Sequence, residues 1–221
     1  MTLDPRTAAE LVDACAAAIV VLGVGLAATR SIGRAIWLVA IQSVLTGVAA
    51  IGVGLATGSG HLVIGGLLAI GAKGLVVPFV LGSILRRSPV RRERHPLLGP
   101  RASLVAAVAI VFAASAAADG AFVGASVAVS RGLTAAIAAV LTGLLIIMTR
   151  RKALSLVVGL LVFENGIALT AFSLTYGMPL VVELGILFDL LIAVVVAWVY
   201  ARRMLDVLGT TSTDQLRSLR G

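Results

Sequence analysis

Long apolar runs, each near twenty residues and most of them closed by a short arginine-rich break, constrain this chain more than any other feature. About 20 helical residues at 1.5 Å each cover the roughly 30 Å of a bilayer's hydrocarbon. Seven such runs are legible, at about residues 9–29, 35–56, 62–85, 102–118, 131–149, 153–175 and 180–200. The breaks are Arg30–Arg34, the ATGSG turn before His61, the basic stretch Arg86–Arg101, a link opened by Asp119 and Gly120, the triplet Arg150, Arg151 and Lys152, the YGMP turn Tyr176–Pro179, and Arg202 with Arg203. In lipid every backbone polar group must be satisfied internally, which leaves helices or closed barrels. Barrel strands need short segments of alternating polarity, and these runs do not alternate. The expected fold is therefore all-α: a polytopic transmembrane helical bundle of about seven spans.

Composition agrees. The chain is 60% hydrophobic and 13% charged, with a mean hydropathy of +1.11, where soluble domains are roughly 45–50% apolar and about 25% charged. Its 18 basic and 10 acidic residues, net +8, do not point to nucleic acid, because the basic residues cluster at span ends. In a seven-span topology Arg30, Arg34, the six arginines of 86–101, Arg150, Arg151, Lys152 and the four arginines after residue 200 fall on one side, 15 of the 18. Lys and Arg accumulate on the cytoplasmic side, so the N-terminus is expected outside and the C-terminus in the cytoplasm. An organisation follows: 1–101 with three spans and the basic cytoplasmic loop, 102–130 with the fourth span and an external link, 131–204 as a three-span unit, and 205–221 as a polar tail. Residues 119–135 are the least well defined, being rich in Gly, Ala and Ser. Arg outnumbers Lys sixteen to two, which with heavy Ala and Gly suggests a GC-rich genome. Asp4 and Glu10 in the first segment argue against a secretory signal.

Four ionisable residues sit well inside the predicted spans: Lys73, Glu164, Glu183 and Asp189. Such groups are costly in lipid and usually face a bundle interior or a polar path. Glu164, Asp189 and Lys73 fall near mid-membrane, and Glu183 nearer the outer end. Two readings are open. In one, the carboxylates form a proton path, since a carboxylate in a low-dielectric site can exchange a proton near neutral pH. Lys73 then biases that exchange, while Asn165 and Gln42 hold water or bridge helices. In the other, the same groups are interhelical glue. Glu183 and Asp189, six residues apart, do not share a helix face, and Gly185 between them permits close packing. Asp13 reads as an interface residue. Cys15 is the sole cysteine, so no intrachain disulfide or cysteine cluster forms. His61 and His95 have no partner at metal spacing, and no phosphate loop, dinucleotide fingerprint, haem pattern or zinc motif occurs.

The FENG segment Phe163–Gly166, the PLVVELGILFD segment Pro179–Asp189 and the third span with Lys73 and Pro78 resemble the hydrogenase-4 component E family, and the resemblance runs through nearly the whole chain. These are membrane subunits of formate hydrogenlyase-like and other energy-converting nickel–iron hydrogenase complexes. The last three spans are also similar to the three-span K-type subunit of respiratory complex I. There a glutamate follows a Gly-Leu pair; here Leu161 follows Gly159-Leu160, and Glu164 stands about one turn further on. Asn165 falls where that family often has asparagine, and Asp189 rather than Glu183 takes the position of the last-span carboxylate.

The resemblance implies a non-catalytic integral membrane subunit in a bacterial or archaeal cell membrane, with a share in a buried lateral proton path and in membrane-arm assembly. The implied path residues are Glu164, Asp189, Glu183, Lys73 and Asn165. Implied partners are antiporter-like membrane subunits, a quinone-site-type membrane subunit and peripheral hydrogenase subunits, which would carry the nickel–iron centre and the iron–sulfur clusters. The alternatives are a small subunit of a multi-subunit cation/proton antiporter and a purely structural membrane subunit. A stand-alone transporter is disfavoured, because no inverted repeat or pair of broken helices is visible.

Overall fold

Pro5 starts the first helix, at a position where its missing N–H costs nothing. The computed structural model describes residues 3–87, 92–93, 96–121 and 127–175. They form α1 (Pro5–Ala28), α2 (Ile32–Thr57), α3 (Gly60–Leu68), a π-helical segment (Ala69–Val76), α4 (Val77–Arg87), α5 (Pro100–Ala121), α6 (Val127–Thr149) and α7 (Ala153–Thr175). Ser31 caps α2 by accepting from the Arg34 N–H at 3.5 Å, and Gly58 ends it in the left-handed conformation (φ 70°) that glycine adopts without strain. Among the described residues six helices are long and apolar enough to cross a membrane, with α3, the π segment and α4 forming one continuous rod, Gly60–Arg86. The protein is thus an all-α, multi-pass integral membrane protein. The predicted seventh span, with Glu183 and Asp189, lies outside the described residues, as do His95 and the tail.

The link expected over 119–135 is narrower than its composition suggests. Helix α5 runs on through Asp119 and Gly120 to Ala121, and α6 begins at Val127. Alanine, the best helix former, is frequent in both helices and holds helical backbone where apolarity is weak.

Helix α2 lies centrally, packing on α1, on all three parts of the third span and on α7, while α6 packs on α7, α1 and α5. Glycines set the closest approaches. A Cβ on Gly143 would lie 2.5 Å from the Phe163 backbone nitrogen, and one on Gly166 would lie 2.6 Å from that of Val140. The α6 and α7 backbones therefore touch, as small residues permit between membrane helices. A large apolar cluster fills the arginine-rich half of the bundle, joining Leu26, Ile36, Val39, Val77, Leu81, Val158 and Leu161 among others.

Within the basic stretch Arg86–Arg101, Glu93 turns inward and is 2% exposed. Its N–H donates to the Arg30 carbonyl at 2.9 Å, and Ser31 pairs with Arg92 in an isolated antiparallel bridge. One Glu93 carboxylate oxygen accepts from the Arg151 N–H at 2.9 Å and the other from the Ser155 hydroxyl at 2.7 Å. The stretch thus ties the α1–α2 turn to the α6–α7 turn, an interior role in addition to the topology anchor its charge suggests. Arg150 completes the tie by donating to the Ala27 carbonyl at 2.6 Å, a cation at the negative end of α1. Burial pushes the Arg150 guanidinium below its ordinary pKa, with neighbouring Glu93 opposing the shift and Arg30 adding to it. Glu93→Ala is expected to remove about 3–5 kcal/mol, since it strips a buried cation of its counter-charge and two donors of their acceptor. Thermal unfolding in mild detergent checks this; a midpoint unchanged from wild type would refute it.

Candidate functional site

Pro78 shapes the backbone that presents the first residue of the site. A proline within a helix supplies no N–H, and its ring crowds the carbonyl four residues back, here that of Gly74. The helix is wide immediately upstream: the Val77 N–H donates to Ala72, five residues back, at the end of the π segment. Wide turns of this kind are rare and recur at functional sites. Lys73 stands in this segment, fourteenth of the 27 residues in the rod Gly60–Arg86 and so near mid-membrane.

Lys73 meets Glu164, the twelfth of 23 residues in α7. Its ammonium nitrogen is 2.5 Å from one carboxylate oxygen, and the two side chains are 9% and 8% exposed. The other oxygen, Oε2, is buried without a hydrogen-bond partner among the described residues. A buried pair is held only where mutual attraction offsets desolvation of both ions, so the two helices bind each other at this point.

The polar line continues away from the ion pair. Asn165, 1% exposed, donates through Nδ2 to the Ser43 hydroxyl of α2 at 3.0 Å. Next to Ser43 on the chain, Gln42 donates through Nε2 to the Ile19 carbonyl of α1 at 3.3 Å. Thr46 donates back to the Gln42 carbonyl at 3.0 Å. Gln42 and Ser43 are fully buried, and Gln42 is the eleventh of 26 residues in α2. One belt at mid-depth therefore crosses the bundle from the third span through α7 and α2 to α1.

The structure brings together Lys73, Glu164 and Asn165, while Glu183 and Asp189 lie outside the described residues. Gln42, expected to hold water or bridge helices, does bridge α2 to α1. Sequence reasoning missed Ser43 and Thr46; three polar side chains at 42, 43 and 46 inside an apolar run were the available signal. Asp13, the ninth of 24 residues in α1, pairs with Arg131 at 3.0 Å and joins α1 to α6. Among the described residues no group of three or more His, Cys, Asp or Glu side chains is placed to hold a metal ion.

Comparison with known proteins adds relatives. Over 216 residues the chain is 32% identical to the uncharacterized protein Rv0085 of Mycobacterium tuberculosis, covering 95% of this chain and 96% of that one. Over 149 residues it is 29% identical to hydrogenase-4 component E of Escherichia coli, covering 67% of this chain and 69% of that protein. The same figures hold for component E of Shigella flexneri. No protein-family model and no solved structure matches.

Proposed function

Because the chain belongs to one family with the uncharacterized protein Rv0085 and is distantly homologous to hydrogenase-4 component E, we propose that it is a non-catalytic membrane subunit of an energy-converting nickel–iron hydrogenase or formate hydrogenlyase-like complex. In this reading it has seven spans, an outside N-terminus and a cytoplasmic C-terminus, and it contributes to a lateral proton path and to membrane-arm assembly. Antiporter-like, quinone-site-type and peripheral hydrogenase subunits surround it. The redox centres reside in those partners: clusters need several thiolate ligands, and this chain has one cysteine, buried in α1.

The observation that carries the reading is the Lys73–Glu164 ion pair at mid-membrane. A lone charge in hydrocarbon is costly. Drawing the lysine away therefore favours proton uptake by the carboxylate, and restoring the pair favours proton release. Electron transfer in a partner subunit needs only to displace one of the two side chains to move a proton. Lys73 itself stands in the π segment, a wide turn of the kind that recurs at functional sites.

Affinity purification of the tagged protein from its native membranes in mild detergent, with mass spectrometry of stoichiometric partners, tests the assignment. Hydrogenase and antiporter-like subunits are expected together. Antiporter subunits alone would replace the reading by the antiporter one, and a lone chain would overturn both. In the recovered complex the double variant Lys73→Met/Glu164→Gln, which leaves no stranded buried charge, is expected to assemble and to cut proton translocation by about 10²-fold, the scale on which a missing proton-transfer group acts.

A further inference from the structure

Consecutive residues on a helix point about 100° apart, and the two at mid-depth in α7 are held by different neighbours. Glu164 meets Lys73 of the third span. Asn165 meets α2, where its Nδ2 donates to the Ser43 hydroxyl at 3.0 Å and that hydroxyl donates back to Asn165 Oδ1 at 3.4 Å. Among the described residues Lys73 alone meets the Glu164 carboxylate, and Oε2 has no hydrogen-bond partner. The direction in which Glu164 faces therefore depends on the roll of α7 about its axis, and the Ser43–Asn165 pair is a second contact, about a quarter-turn away, that fixes this roll.

Both sides of these contacts are backed by tight helix seams. Gly74, next to Lys73, packs on Val44, next to Ser43: a Cβ on Gly74 would lie 2.7 Å from Val44 Cγ2. One turn further along α2 the main chains themselves touch. A Cβ on Gly47 would lie 2.7 Å from the Gly66 carbonyl oxygen, and one on Gly66 would lie 2.6 Å from that of Gly47. On the other side Gly166, next to Asp-free Asn165, and Gly143 seat α7 on α6 by backbone contact. No glycine among the described residues brings backbone this close across the boundary between α2 and α7, although the two helices pack on each other. Lys73 and Ser43 thus belong to one glycine-locked helix pair and Glu164 and Asn165 to another. Side chains make the boundary: the two polar contacts, with Val39 of α2 and Val158 and Leu161 of α7 in the apolar cluster.

We infer that Ser43 is a positioning residue for Glu164: its hydrogen bonds with Asn165 hold α7 at the roll that turns the carboxylate to Lys73, so that the ion pair and the Ser43–Asn165 pair form and break together. The inference rests on the proton-path reading and supplies the movement that reading needs. One locked helix pair shifts against the other, and Lys73 parts from Glu164. The Glu164 carboxylate then takes one proton from water, and gives one back to water when the pair re-forms. Ser43 and Asn165 neither gain nor lose a proton; they set how long the carboxylate stays with its lysine.

The experiment uses the complex in which the tagged chain is recovered, reconstituted into liposomes, with redox turnover and proton translocation measured on the same preparation. Ser43→Ala is expected to lower translocation about fivefold at unchanged turnover and subunit composition, the scale of one net buried hydrogen bond. Exchanging the partners, Ser43→Asn with Asn165→Ser, keeps a donor and an acceptor on each helix and is expected to restore most of the loss; an exchanged variant no better than Ser43→Ala overturns the inference. If Ser43→Ala lowers the unfolding midpoint but translocates as wild type, while Lys73→Met/Glu164→Gln does not, the bond is interhelical glue and the inference falls alone. If that double variant also translocates as wild type, the proton-path reading falls and the inference with it. A Ser43→Ala complex that fails to assemble shifts the decision to Ser43→Cys, which keeps the side chain's shape with a weaker donor. This variant must lower translocation, and a wild-type value overturns the inference.

Discussion

Lys73→Met is expected to destabilise the protein by about 3–5 kcal/mol, and adding Glu164→Gln is expected to recover most of that loss. The single change leaves a carboxylate 6% exposed with its cationic partner gone. The double change replaces both ions by neutral groups of similar size, and exchanges of that kind are often neutral. A double-mutant cycle on thermal unfolding in detergent measures the coupling, expected at about 3 kcal/mol. Additive effects of the two changes would show that the 2.5 Å contact does not hold the third span to α7. The same four proteins separate stability from function, because the double variant is expected to assemble normally and yet move no protons.

The second large effect is expected at the α6–α7 seam. Gly143→Leu and Gly166→Leu place a side chain where the nearest atoms are the backbone of Phe163 and of Val140. No rotamer change relieves a clash with main chain, so the helices must separate. Overpacking of this kind costs typically 1–3 kcal/mol in a soluble core, and about 3 kcal/mol or more is expected here for each leucine. Separation also shifts Glu164 and Asn165, which lie between the two glycine contacts on α7. The variants are therefore expected to weaken the Lys73 pairing as well as the fold. Gly71→Ala is the control: a Cβ there meets nothing within 4 Å, and its unfolding midpoint is expected to stay within a degree or two of wild type. Equal losses at positions 71 and 143 would mean that seam contact does not set the cost, since both changes raise helix propensity.

Depth in the membrane was legible from the sequence. Hydropathy and the one-sided placement of arginines are properties of the linear chain, and counting residues from a span end gives height directly at 1.5 Å per residue. That is why Lys73 and Glu164 were both expected near mid-membrane. The polar triplet at 42, 43 and 46 could have been read in the same way. What counting does not give is azimuth, the direction a residue faces around its helix, or which helix it faces. Lys73 and Glu164 are 91 positions apart (164 minus 73) and meet because α2 packs on both the π segment and α7. Glu93 is the clearest case. A single acid among six arginines, it reads as a surface charge in the sequence, yet it is buried because four helix ends present unpaired donors and carbonyls to one small space. A multi-pass helical membrane protein with charges at mid-depth follows from the linear chain, because burial in lipid acts on each residue according to its own polarity. Which charges and amides become partners is set by helix packing, because that choice depends on backbone approach and helix register, which no residue carries alone.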